Sequence, residues 1–195
     1  DIFSQINHKY AIEYRDELIA SYLKKMEVEN LFDIGPDNCT LLLKSKGLGL
    51  KVSGIDVANK AIDISDKFNL NVIQLSIHDL VNYKDLGQFY KDYNIPIDNS
   101  KTNAISCLNI IHGNWEDVKL KRNLLDFIFH NADEVVITCY ENELREIVKN
   151  YDIKSYSRLH HYNDIKVSKK YATLLQYGTS FNKKTRVIEK VFSKF

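Results

Sequence analysis

Two short stretches, LFDIGPDN (Leu31 to Asn38) and SGID (Ser53 to Asp56), each place an aspartate at the end of an apolar run. Gly35 follows Asp33 by two residues, and Asp56 follows it by 23. A glycine directly after a strand lets the backbone come close to a ligand, because no Cβ stands in the way, and the start of a following helix offers free N–H groups. A carboxylate at the tip of the next strand can accept both hydroxyls of a ribose. The two aspartates therefore predict a nucleoside-containing ligand, if the chain can set the two strands side by side with their carboxyl ends together.

The hydrophobic pattern supplies such a frame. Ile12, Leu18, Ile19, Tyr22, Leu23 and Met26 recur at three- and four-residue spacing and predict an amphipathic helix over Ile6 to Met26. LFDI reads as a short buried strand, and Thr40 to Ser45 as a helix start capped by Asp37 or Asn38. KVSGID is a second strand, Ala58 to Phe68 a helix and Val72 to Leu75 a third strand. Lys84 to Thr102 reads as a helix fragment and a loop. AISCLNII, Glu116 to His130, EVVITCY and Glu141 to Asn150 continue as strand, helix, strand and helix. ATLLQYG and TRVIEKVF, separated by Asn182, Lys183 and Lys184, predict an antiparallel hairpin at the end of the chain. Strict alternation predicts an α/β fold: a Rossmann-like, doubly wound, mostly parallel seven-stranded sheet with a C-terminal antiparallel hairpin and an N-terminal helix.

At 195 residues, with 44% hydrophobic and 27% charged residues, the chain is expected to form one soluble domain. No apolar run approaches the about 20 residues that span a bilayer, and the first ten residues lack the blocks of a signal peptide. Cys39, Cys107 and Cys139 are odd in number and far apart, which suggests neither a disulfide framework nor a zinc site, and a cytoplasmic location is expected. Charge is uneven along the chain: residues 1–151 carry 17 basic and 23 acidic side chains, residues 152–195 carry 10 and 3. The basic excess is either a solvated face or a lip that attracts an anionic substrate.

The order LFDIGPDN, VSGIDVANKAI, NVIQLSIHDL, NAISCLNIIHGNWED and DEVVITCYE resembles the successive motifs of class I S-adenosylmethionine-dependent methyltransferases, over about Val28 to Asn150. The terminal hairpin is similar to that family's reversed last strand. The resemblance implies a single methyltransferase domain over 1–195, with an N-terminal helix in 1–29, a cofactor-binding core in 30–150 and C-terminal strands in 151–195. It places Asp33, Gly35 and Pro36 against the methionine end of S-adenosylmethionine and Asp56 with Val57 at the ribose. Either Ser76 and Ile77 or His78 and Asp79 would contact adenine, and Leu108 and Asn109 would face the amino group and the transferred methyl. The chain departs from the family's D-x-G-x-G-x-G turn, since Asp37 and Cys39 stand where the second and third glycines would be.

Methyl transfer needs alignment and a dry site, and a base only where the acceptor must first lose a proton. His112 could act as that base or hydrogen-bond a loop. Trp115 could wall a substrate pocket or pack in the core, and Tyr10 and Tyr14 could cover the cofactor or simply pack on their helix. Arg158, His160 and His161 fall on the substrate side or the surface, without the spacing of a metal site. No N-P-P-[YF] stretch follows the fourth strand, which disfavours methylation of DNA bases or protein glutamine. The expected acceptor is a small molecule with a hydroxyl or anionic oxygen, such as a sugar or phosphorylated metabolite, with S-adenosylhomocysteine as the other product and no nucleic acid or membrane partner. Two alternatives remain open: a methyltransferase fold kept as a scaffold, and an NAD-dependent oxidoreductase. The second lacks the G-x-G-x-x-G fingerprint, and Asp37 would oppose its pyrophosphate.

Overall fold

The structure, a computed structural model, describes residues 15–108, 110, 117–138, 141–151, 155–159, 164–168 and 171–175, with the backbone alone at 138, 141–144, 148 and in the last three strands. It divides into two compact units, 1–104 and 105–195. Among the described residues no helix is long and apolar enough to cross a membrane.

In the first unit, α1 (described over residues 15–25) precedes β1 (Asn30–Ile34), α2 (Thr40–Gly47), β2 (Lys51–Asp56), α3 (Asn59–Phe68), β3 (Val72–Gln74), α4 (Ile77–Leu80) and α5 (Leu86–Asp92). The strand order is β3-β2-β1, followed by β4 (Asn103–Cys107), which leaves the unit after Ala104. This is the order with which a doubly wound nucleotide-binding sheet begins. β1 and β2 are parallel with Asp33 beside Gly54 and Ile34 beside Ile55, and β2 and β3 are parallel with Asp56 beside Gln74. All three strands therefore end at one edge.

Every residue of β1 is buried, as expected of a strand covered on both faces. Phe32 meets Phe89 edge-on, with ring centroids 5.3 Å apart, and also touches Tyr90. The Ser53 hydroxyl donates to the Tyr90 oxygen at 3.3 Å, so α5 is fastened over β1 and β2 by aromatic packing and one buried polar contact. Leu41 and Leu42 of α2 and Ala61 and Ser65 of α3 are buried as well, and Ser65 Oγ accepts from the Val72 amide at 2.8 Å, joining α3 to β3. At the amino-terminal end of the strands, Asn30 Nδ2 donates to Asn103 Oδ1 and to the Asp98 carbonyl, anchoring the loop before β4.

In the second unit the order is β4, β5 (Glu134–Thr138), β8 (Tyr171–Leu175), β6 (Ser155–Leu159) and β7 (Asp164–Ser168). The apolar stripe Leu124, Leu125, Phe127, Ile128 and Phe129 of α6 (Val118–Asn131) is buried together with Val135, Val136 and Ile137 of β5. Tyr151, just beyond α7 (Glu141–Asn150), stacks on Phe129 at 4.4 Å and donates to Asp126 Oδ1 at 2.8 Å.

The α/β expectation holds and is compatible with a Rossmann-like fold, while the strand inventory needs correction. Eight strands, not seven, lie among the described residues. Of the expected hairpin, the first arm is β8, and the second, 185–192, lies outside the described residues. The antiparallel pairs that are present join β7 to β6 and to β8. The strand beside β5 is β8, and it runs parallel to β5, not reversed. The physical reason lies in polar sequence: SYSRL and DIKVS carry two apolar residues each, so main-chain pairing, not a hydrophobic run, marks them.

Candidate functional site

The turn after β1 has an unusual backbone. Gly35, Asp37 and Cys39 all have positive φ, at 72°, 45° and 56°. These are the three positions at which a D-x-G-x-G-x-G turn carries glycine, and here two of them hold side chains. A non-glycine residue in the left-handed region costs about 1–2 kcal/mol, so surrounding contacts must hold it there. Those contacts are present. The Gly35 amide donates to the Ile55 carbonyl at 2.9 Å and the Cys39 amide to the Pro36 carbonyl at 2.7 Å. Asn38 Oδ1 accepts from the Thr40 amide at 3.1 Å and from its hydroxyl at 2.8 Å, so Asn38 supplies the capping bond although Cys39 occupies the cap position of α2. Cys39 is fully buried and its thiol reaches the Ala61 carbonyl at 3.6 Å.

Asp56 joins this turn to the next one. One carboxylate oxygen accepts from the Asp37 amide at 3.0 Å and the other from the Ala58 amide at 2.9 Å. A carboxylate has about four acceptor positions, so each oxygen keeps one for a further donor. Lys60, on the first turn of α3, donates to Asp37 Oδ1 at 3.0 Å. Val57 projects from the tip of β2 with 66% of its surface exposed, an apolar side chain beside the acidic one. Gln74 Nε2 holds the Val57 carbonyl at 3.2 Å and Asn59 Oδ1 at 2.8 Å.

Three carboxylates give the turn a negative field. The Cys39 thiol registers it: burial, then Asp33, Asp56 and Asp37 push its pKa up to about 12, with Lys60 opposing. At neutral pH this thiol is un-ionised and no nucleophile.

Of the residues expected from sequence, Asp33, Gly35, Pro36, Asp56, Val57, Ser76, Ile77 and Asp79 gather at the edge where β1, β2 and β3 end. Asp33 and Pro36 are buried, and Asp56 is half-buried. After β3, the Ser76 hydroxyl donates to Asp79 Oδ2 at 2.6 Å and accepts from the Asp79 amide at 3.2 Å, so these two residues cap α4 between them. Ile77 is half-buried and His78 exposed. Leu108 follows β4 in the second unit and is 9% exposed. Arg158 lies on β6 opposite Ile165 in register. Asn109, His112, Trp115, Tyr10, Tyr14, His160 and His161 lie outside the described residues.

Sequence reasoning missed two residues here. Gly54 sits beside Asp33, and a Cβ on it would run into the Asp33 carbonyl oxygen. A glycine inside a strand pattern is itself a sign of close approach. Lys60 carried no signal, because only the structure brings it to Asp37. Among the described residues no three His, Cys, Asp or Glu side chains are grouped to hold a metal ion. No protein-family model matches the chain, and no curated protein matches it significantly.

Proposed function

We propose that the protein is an S-adenosylmethionine-dependent methyltransferase acting on a small molecule. The observation that carries this reading is the alternating left-handed backbone at residues 35, 37 and 39, set after Asp33 and against the Asp56 carboxylate. The residue types and charges present suit such a cofactor. Gly35 places no side chain on the turn, Asp56 keeps one acceptor position on each oxygen for the two ribose hydroxyls, and exposed Val57 offers an apolar contact beside them. The cofactor would supply a methyl group already activated by a sulfonium. A positive sulfonium and ammonium suit a turn ringed by Asp33, Asp37 and Asp56, whereas a dinucleotide's pyrophosphate would be repelled there. The same field weighs against the NAD-dependent reading.

The chain's own part is to bind and orient the cofactor, exclude water, and receive a proton where the acceptor is a hydroxyl. His112 is the group proposed for that proton. The acceptor is proposed to carry a hydroxyl or an anionic oxygen, drawn by the basic excess of residues 152–195.

One observation favours a second reading, a fold kept as a scaffold: both oxygens of Asp56 are already used to tie two loops together. Calorimetry with S-adenosylhomocysteine separates the two. Binding that Gly35→Arg abolishes supports the enzyme, and no heat with the wild-type protein supports the scaffold.

A further inference from the structure

Asp37 stands with φ at 45° where glycine would rest without strain, and two contacts hold it there. Its amide is fixed by Asp56, and its carboxylate by Lys60. Both Lys60 and Asp37 are largely exposed, with 63% and 75% of their side-chain surfaces accessible, so neither is fixed by packing. The ion pair joins the first turn of α3 to the middle of the turn after β1, while the Asp56 carboxylate grips the same residue through its backbone. Removing the lysine would leave a residue in an unfavourable conformation with one restraint instead of two.

We infer that Lys60 is a positioning residue: by clamping the Asp37 carboxylate it keeps the turn in the left-handed conformation that glycine would adopt unaided, and so preorganises the ligand edge. The inference rests on the proposed cofactor reading for its effect on affinity, but its effect on the turn does not need that reading. The ion pair is exposed, so its contribution is that of a surface pair, and the loss in affinity is about two- to fivefold. An opposite expectation follows if Lys60 acts only through its charge: beside a cationic ligand, removing a positive charge would tighten binding.

The experiment measures S-adenosylhomocysteine affinity by calorimetry and Asp37 amide hydrogen exchange in the ligand-free chain of 195 residues. Lys60→Ala should weaken affinity about two- to fivefold and speed exchange at Asp37. Lys60→Arg should restore both, because a guanidinium can hold the same carboxylate. In an Asp37→Gly background, Lys60→Ala should change neither, because glycine needs no clamp. Unchanged exchange in Lys60→Ala, tighter binding, or an effect that persists in the glycine background would each overturn the inference. If the wild-type chain binds no S-adenosylhomocysteine while exchange follows the expected pattern, the clamp stands and the cofactor reading falls.

Discussion

Replacing Gly54 by alanine tests how closely β1 and β2 are built together. A Cβ at this position meets the Asp33 carbonyl oxygen well inside contact distance, with the Asp33 carbonyl carbon at 3.3 Å and its nitrogen at 3.5 Å. The obstacle is backbone in the middle of a buried parallel pair, so no side chain can rotate away. Relief requires the strands to part by about 1 Å, out of a normal spacing of about 4.8 Å. That stretch takes local ladder hydrogen bonds beyond good geometry, at about 0.5–1.5 kcal/mol each, and overpacking in general costs about 1–3 kcal/mol. Alanine offsets part of this through lower chain entropy, about 0.5–1 kcal/mol. The net loss is about 2 kcal/mol, or about 4–8 °C in Tm for a chain of this size. Gly47 serves as the control. It ends α2 and a Cβ there meets nothing within 4 Å, so Gly47→Ala should raise stability by about 0.5–1 kcal/mol. Thermal melts followed by circular dichroism read both. A Gly54→Ala protein melting within about 1 °C of wild type would refute the close approach of the two strands.

Asp56→Ala should weaken S-adenosylhomocysteine by ~1–3 kcal/mol for the lost charge-assisted bonds, and an unchanged Kd would remove Asp56 from the ribose site. His112→Ala should leave that Kd alone while slowing turnover about 100-fold; parallel loss of both in calorimetry and single-turnover assays would make the residue structural. The Cys39 thiol, raised from 9.0 to about 12 by burial first and the three aspartates next, binds its proton more tightly folded than unfolded. Its contribution is whole below pH 9 and fades as pH climbs towards 12, so stability should fall by up to about 1 kcal/mol per pH unit above 9, a slope that Cys39→Ala removes in urea melts at pH 8 to 10. Across a panel of phosphorylated sugars, neutral hydroxyl compounds and short RNA, phosphorylated sugars should be methylated fastest and lose rate in salt; neutral acceptors preferred without any effect of Arg158→Ala would refute the basic lip.

The alternation of strands and helices through Asn150 was legible because each element carried its own signal: the short LFDI run, apolar but for Asp33, a glycine-bearing KVSGID, and the Leu124 to Phe129 stripe. The cap of α2 was legible in type, since Asn38 supplies the bond, but not in position, since Cys39 takes the left-handed place. Gly54 was in plain view as a strand glycine, yet only the register of β2 on β1 shows what it avoids. Lys60 was hidden for a simpler reason. An exposed lysine on the polar face of a helix has no pattern to distinguish it, and its meeting with Asp37 is a product of tertiary structure. The strands after Asn150 were unreadable in direction, because DIKVS and YATLL give period and no orientation.

The left-handed residues after β1 bear on how a turn is read from its letters. A sequence profile built on a glycine-rich turn scores letters, and at positions 37 and 39 it would count two mismatches. The backbone has at both places the positive φ that glycine favours. A left-handed turn can thus be held without glycine, provided neighbours such as Asp56 supply the restraint that glycine makes unnecessary. For turns of this kind, the succession of φ signs along the chain is set by the contacts around it as well as by residue identity, so equal shape does not require equal letters.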